Sequence, residues 1–341
     1  MEIKNIDDIG EFGLIERISS KFKNYRKSTV LGIGDDSGII DNSKLLTLVS
    51  SDMLIEGIHF DLSFFPLKHL GYKSVIVNLS DIYAMNGNPN QIILNIGISS
   101  KFSIKAIDQF YEGIKVACSE YNIDLIGGDT TSSLKGLVIS CTAIGTVSKK
   151  NITRRSGAKE NDVICVSGDL GRSFLGLKIL QREKRIFLNN PKMQPKLNTY
   201  KNIIEKQLRP KARLDVISIL KENKIIPSSM IDISDGLTSD LIHLSKNSNL
   251  GVKIFEQKIP VLDETKSVSK EFNLDFINCA LNGGEEYELL FSISIKEYDL
   301  IKSKGIDITP IGYFTKNKNN IIVLSNNNEK VLKPFGWDHF N

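Results

Sequence analysis

No run of about 18 or more uninterrupted apolar residues occurs in this sequence, the length a membrane-spanning helix requires. The first residues, Met1 to Asp8, are polar and acidic, unlike a secretory signal. Cysteine is scarce: Cys118, Cys141, Cys165 and Cys279 stand singly with no CxxC pair, which excludes a disulfide scaffold and reads as reduced core thiols of a cytoplasmic protein. The four histidines, His59, His69, His243 and His339, lack metal-ligand spacing, so no structural zinc site is expected. Neither charge dominates, with 44 Lys plus Arg against 40 Asp plus Glu, so nothing here calls for nucleic acid as a partner. The sequence also lacks a G-x-x-x-x-G-K-[ST] loop, a G-x-S-x-G elbow and an H-x-E with CxxC. Gly32-Ile33-Gly34-Asp35-Asp36-Ser37 is a broken G-x-G-x-x-G whose acids repel a pyrophosphate unless a metal intervenes.

What is present is an ordinary globular composition, 41% hydrophobic and 25% charged over 341 residues, enough for about two domains. Strand-like runs at 45–51, 91–98, 123–126 and 136–147 alternate with helical patterns around 72–83 and at 104–121. The basic polar stretch Lys149 to Gly157 is placed as the boundary, giving domains 1–150 and 151–341. The second opens with a strand at 163–167. Helical patterns follow near 171–183, 200–207 and 212–222, with strands at 251–255, 287–295 and 321–324. The Asn/Lys-rich patches at 184–202 and 315–330 read as loops. Mixed strands and helices in both halves predict an α/β (α+β) fold.

The informative feature is where the acids sit. Six clusters place carboxylates beside glycine or at strand ends: Asp35-Asp36, Asp52, Asp81, Asp129, Asp232 with Asp235, and Glu285-Glu286 with Glu288. None of the six contains Lys or Arg, although the chain is net basic. Converging carboxylates repel one another and stay ionised together only around a cation. Hard oxygen donors without Cys or His select Mg2+ or Ca2+ over zinc. Each cluster alone reads equally as turn chemistry. Asp232-Ile233-Ser234-Asp235-Gly236 lacks the alternating ligands of an EF-hand. Asp81 resists the turn reading, because it falls on a largely apolar helix, on a face shared with Asn78 and Ser74, with no base within reach on that helix.

Taken together, these clusters closely resemble the thiamine-monophosphate kinase family, within the superfamily of aminoimidazole ribonucleotide synthetase. The resemblance runs from Gly10-Glu11-Phe12-Gly13-Leu14-Ile15 to Gly336-Trp337-Asp338-His339-Phe340. It includes Gly57-Ile58-His59-Phe60, Val77-Asn78-Leu79-Ser80-Asp81, Gly127-Gly128-Asp129-Thr130-Thr131, Arg155-Ser156-Gly157-Ala158 and Gly283-Gly284-Glu285. It implies a two-domain α/β fold and a homodimer formed by the N-terminal domains. It also implies ATP-dependent phosphorylation of thiamine monophosphate to thiamine diphosphate, with ATP and several Mg2+ as cofactors. By this resemblance Asp36, Ser50, Ser51, Asp52, Asp81, Asp129, Asp232 and Asp235 match metal ligands, with Asp52, Asp81 and Asp232 acting catalytically through the metal. Gly128, Asp129, Arg155 and Ser234 match ATP contacts, joined by Tyr111. His59, Glu285 and Trp337 match contacts to the thiamine substrate. Ser51 stands where relatives often have Thr, Glu286 where Asp is common, and Trp337 where some have Tyr. Arg209-Pro210-Lys211-Ala212-Arg213 departs from a usual second proline.

On residue chemistry alone, Arg155 also reads as an exposed linker arginine, His59 as a turn histidine and Trp337 as a docking plug. An indole face beside a cationic thiazolium is chemically sensible. Two rival functions remain at this stage. One is a sister enzyme with another acceptor, although no Cys precedes residue 118 to serve a selenophosphate synthetase. The other is a nucleotide-binding regulatory dimer, against which the near-complete acid set argues.

Overall fold

The computed structural model describes residues 29–31, 35–99, 101–302 and 307–333. The expectations at Gly10 to Ile15, at Gly32 to Gly34 and at Trp337 lie outside the described residues. In chain order the first half holds β1 (Thr29–Leu31), β2 (Gly38–Asp41), β3 (Leu46–Ile55), α1 (Leu67–Ala84), β4 (Asn88–Ile98), α2 (Ile104–Tyr121), β5 (Asp124–Ser132) and β6 (Val138–Val147). Its six strands form one sheet in the order β1-β2-β3-β6-β4-β5, antiparallel except for the parallel β4–β5 pair.

The second half holds β7 (Val163–Ser167), α3 (Arg172–Asn189), α4 (Lys201–Leu208), α5 (Leu214–Glu222), β8 (Ser229–Asp232), α6 (Leu237–Ser248), β9 (Gly251–Phe255), α7 (Asp263–Glu271), α8 (Phe276–Asn282), β10 (Leu289–Ile293), α9 (Ile295–Lys302), β11 (Ile308–Thr315), β12 (Asn320–Val323) and β13 (Glu329–Val331). A seven-stranded mixed sheet runs β13-β12-β9-β11-β7-β10-β8. Both halves are mixed α/β layers, as the sequence pattern predicts.

Burial patterns follow from this layering. β6 alternates buried and half-buried residues along its whole length, the period of a strand with one covered face. β7, β8 and β10 are buried throughout, as strands covered on both faces are. One apolar cluster joins Leu48, Leu79 and Ile139 of the first half to Cys165, Met230 and Phe291 of the second. Among the described residues no helix is long and apolar enough to cross a membrane, and the four cysteines are free.

α1 is the element on which the site depends. Every residue from Leu70 to Ala84 except Asp81 is buried. A helix buried almost all round must be packed on several sides, and α1 is held by β3, β4 and β6 of the first sheet, by α2, and by β8 of the second sheet. α2 crosses it at backbone distance: a Cβ on Gly113 would lie 1.9 Å from the Lys68 carbonyl oxygen, and one on Gly71 would lie 2.0 Å from that of Phe110. Only glycine allows that approach.

Several elements differ from the sequence reading. The short strand expected at 123–126 continues to Ser132 through Gly127 and Gly128. A Cβ on Gly128 would sit 1.7 Å from the Leu94 carbonyl oxygen. The glycine therefore lets β5 press against β4 past a shift in register at Ile92 and Ile93 instead of ending the strand. The helix expected at 171–183 runs on to Asn189, into the patch read as loop.

Candidate active site

The end of β8 and the turn after it, the last turn of α1, the middle of β3 and the segment after β1 converge. Carboxylate oxygens of Asp36, Asp81 and Asp232 lie within 4.8 Å of one another. These residues come from three distant parts of the chain, so the meeting is a product of the fold and not of a local turn.

Two faces of α1 explain the arrangement. Ser74, Asn78 and Asp81 are spaced i, i+4 and i+7, one stripe of a helix. That stripe meets β3: the Asn78 side-chain Oδ1 accepts from the Asp52 backbone N–H at 3.1 Å, and Ser50 Oγ donates to Asp81 Oδ2. Ser80 lies on another face and donates to Asp232 Oδ2 at 2.6 Å. α1 is thus stitched to a strand of each sheet by the residues flanking the acids.

The electrostatics match the geometry. Burial and the neighbouring acids Asp52, Asp232 and Asp36 hold the Asp81 carboxyl well above the usual range. Burial and Asp36 push Asp232 up to about 7 and Asp52 up to about 6. Asp35 rises to about 7 for the same two reasons. Arg155 is the counterweight. It donates to both oxygens of Asp36, from Nε at 3.0 Å and Nη2 at 2.9 Å, and its backbone N–H reaches both oxygens of Asp35 at 3.3 Å. The six clusters carry no base in sequence, yet the fold delivers one from the stretch after β6. This refines the expectation that divalent ions alone make the gathering tolerable: one arginine shares that task among at least four acids.

The remaining expected residues are placed as follows. Ser50 is buried and Ser51 is exposed, its hydroxyl 2.8 Å from Thr142 Oγ1. Asp235 is half-buried, next to Ser234 at the start of the turn into α6. Asp129 lies exposed on β5, outside the three-carboxylate group. Tyr111, Gly128 and Asp129 line one cavity of about 410 Å3 with Leu94, Leu125 and Ile126. His59 is half-buried, and its Nδ1 accepts from the Ile55 N–H at 3.1 Å. The Glu285 N–H donates to the Ser234 carbonyl oxygen at 2.7 Å, which fastens the Gly283–Glu288 segment to the turn carrying Asp235.

Sequence reasoning missed Lys73, which is 1% exposed and ion-paired with Glu285. The rule applied to Asp81, that a buried charge needs a partner, would have found it.

With this geometry in place, likeness to known proteins is informative. Residues 34–147 match the family model described as AIR synthase related protein, N-terminal domain. The thiamine-monophosphate kinase of Buchnera aphidicola subsp. Schizaphis graminum is 39% identical over 339 residues, covering 97% of this chain and 99% of that protein. The chain belongs to the thiamine-monophosphate kinase family. The Bacillus subtilis thiamine-monophosphate kinase is 32% identical, again over 97% and 99% of the two chains. A solved structure described as AaThiL complexed with AMPPCP and TMP superposes with a TM-score of 0.84 at 29% identity, covering 99% of this chain and 100% of that one.

Glu286, the residue after Glu285, caps α3. Its Oε1 accepts from the Gly171 N–H at 2.7 Å and the Ser173 N–H at 3.3 Å, at a helix start with no side-chain cap of its own. Burial raises its carboxyl to about 8 from an ordinary 4.5. Because the folded value lies above the unfolded one, its stabilising contribution is full below about pH 4.5 and fades as pH rises through 8. Glu286→Gln keeps an acceptor without a charge. It is expected to raise unfolding stability by about 1–3 kcal/mol at pH 8 and to change little at pH 5. Denaturant unfolding of both proteins at the two pH values checks this; equal differences at both would refute it.

Proposed function

We propose that this chain transfers the γ-phosphoryl group of ATP to thiamine monophosphate, giving thiamine diphosphate and ADP, in a Mg2+-dependent in-line displacement. The observation carrying this reading is the convergence of Asp36, Asp81 and Asp232 at the junction of the two sheets, in a chain of this family.

The donor set fits Mg2+: carboxylate oxygens, no thiolate in the group, and mutual repulsion that only a cation or Arg155 relieves. Asp36, Asp81 and Asp232 would hold it, with Ser50, Ser51, Asp52, Asp129 and Asp235 as the further ligands that family resemblance suggests. Mg2+, when bound, supplies Lewis-acid charge neutralisation on phosphate oxygens. The chain's own residues do the rest. Arg155 sets a fixed positive charge, braced by Asp35 and Asp36, beside the acid group. The cavity at Tyr111, Gly128 and Asp129 offers a glycine-rich strand edge to the nucleotide, and Ser234 belongs to the same ATP-binding set. His59 and Glu285, with Trp337, are proposed to hold the thiamine part. The acceptor oxygen belongs to a phosphate whose second pKa is about 6, so it is anionic near neutrality and no general base is required. Its bond to the γ-phosphorus forms as the bond to the β–γ bridging oxygen breaks. Positioning and charge compensation carry the rate.

The boundary near residue 150 and the cytoplasmic location stand as part of this reading, the latter supported by four unpaired thiols. So does a homodimer. All nine residues of the edge strand β5 are exposed, Leu125 at 41% and Ile126 at 57% among them. An exposed edge strand invites pairing with another strand. A monomer in sedimentation equilibrium at micromolar concentration would end that proposal.

Incubating the chain with ATP, Mg2+ and thiamine monophosphate is expected to release ADP only when all three are present, and chelation with EDTA is expected to stop it. Nucleotide binding without turnover that depends on thiamine monophosphate would overturn the assignment.

A further inference from the structure

Lys73 is the most deeply buried cation whose role the reaction does not yet use. It sits in α1 with 1% of its surface exposed, between Tyr72 and Ser74. Its ammonium is 2.7 Å from Glu285 Oε1, donates to the Gln207 carbonyl oxygen at 3.3 Å, and lies over the Phe65 ring at 5.5 Å. Gln207, on α4, holds the other oxygen: its Nε2 donates to Glu285 Oε2 at 2.7 Å. Gln207 is itself fixed by Ser173 Oγ, which donates to its Oε1 at 2.5 Å. Two helices therefore hold one carboxylate, and a third braces the second of them.

Glu285 needs such fixing. It has φ +60°, a left-handed conformation uncommon outside glycine, in a segment where Tyr287 has φ +52° as well. Its side chain remains 28% exposed. A carboxylate has about four lone-pair sites, of which two are filled here by donors from the protein. The Lys73 ammonium holds one carboxylate oxygen and Gln207 Nε2 holds the other, which fixes the plane of the group. The remaining sites are left for donors of a ligand.

We propose that Lys73 and Gln207 are positioning residues that lock the Glu285 carboxylate, from the first half of the chain and from α4 respectively, as a preset acceptor for an N–H donor on the organic part of the phosphate acceptor substrate. This rests on the reading of Glu285 as a substrate contact. It adds that the thiamine-facing group is built across the two halves of the chain, because α1 contributes the charge that holds it.

The test is steady-state kinetics of the full chain with ATP and thiamine monophosphate varied separately. Lys73→Met is expected to raise KM for thiamine monophosphate at least about tenfold, the loss expected of a hydrogen bond to a charged group, while KM for ATP stays within about twofold. Gln207→Leu is expected to act in the same direction and carries the test if Lys73→Met does not fold. Because both act through Glu285, either substitution added to Glu285→Gln is expected to worsen KM for thiamine monophosphate by less than about twofold over Glu285→Gln alone. A merely structural role would move both KM values together or add fully to Glu285→Gln, and either result overturns the proposal, as does an unchanged KM for thiamine monophosphate. A wild-type protein with no turnover of thiamine monophosphate would instead defeat the functional reading beneath it.

Discussion

Asp81→Ala is expected to cut kcat at least about a thousandfold, the scale seen when a preorganised charge-stabilising group is lost from an active site. Asp81 is the one residue between Leu70 and Ala84 that is not buried, and its carboxyl meets those of Asp36 and Asp232 while the rest of the helix is locked. The same substitution is expected to leave stability in EDTA unchanged or raised. It removes a member of a group in which Asp36, Asp52 and Asp232 hold the Asp81 carboxyl above its usual range by repulsion as well as burial. Activity should thus fall without any loss of stability, which global damage to the fold cannot produce. Turnover in Mg2+ together with thermal unfolding in EDTA decides it; activity within tenfold of wild type would remove Asp81 from the machinery.

The largest expected effect on stability lies behind the Gly283–Glu288 segment. Glu288 is 3% exposed and accepts from Lys206 and Arg213, both as ion pairs, and from Ser167 Oγ at 2.6 Å. Glu288→Ala takes the paired carboxylate from Lys206, which is 8% exposed, while Arg213 beside it keeps its two hydrogen bonds to Asp215. Breaking a buried pair from one side costs about 3–5 kcal/mol. A drop of that size in urea unfolding is expected, and it should be partly recovered when Lys206→Met is added, since one uncompensated charge is then gone. A loss below about 1 kcal/mol would show that water screens the group.

Much of this arrangement is legible in the sequence, and the reason is physical. Acids beside glycine, with no base in any cluster, announce a cation-binding pocket wherever the fold gathers them, and Asp36, Asp81 and Asp232 do gather. The helix at 104–121 appears with those bounds because its apolar period is long and clear. β8 is not legible in the sequence, because its four residues, all buried, show no alternation. Arg155 reads in sequence as a linker arginine or an ATP contact, and its bidentate hold on Asp36 spans 119 residues, which no local pattern reports. Lys73 is hidden in the sequence because lysine in a helix suggests a solvated face, while here α1 has hardly any solvated face to offer.

The double anchoring of α1 has a further consequence for how this chain tolerates insertions and deletions. Lys73 and Ser80 lie seven residues apart, two turns, so both point towards the second half, to Glu285 and Asp232. The axial offset between those two anchors, about 10 Å, is a ruler made of helix rise and not of loop length. Adding or deleting one residue between them would swing one anchor about 100° away from the other while leaving every loop intact. Length changes in this stretch of helix should therefore be far more damaging than changes of equal size in the surface segments at 190–197 or 315–319.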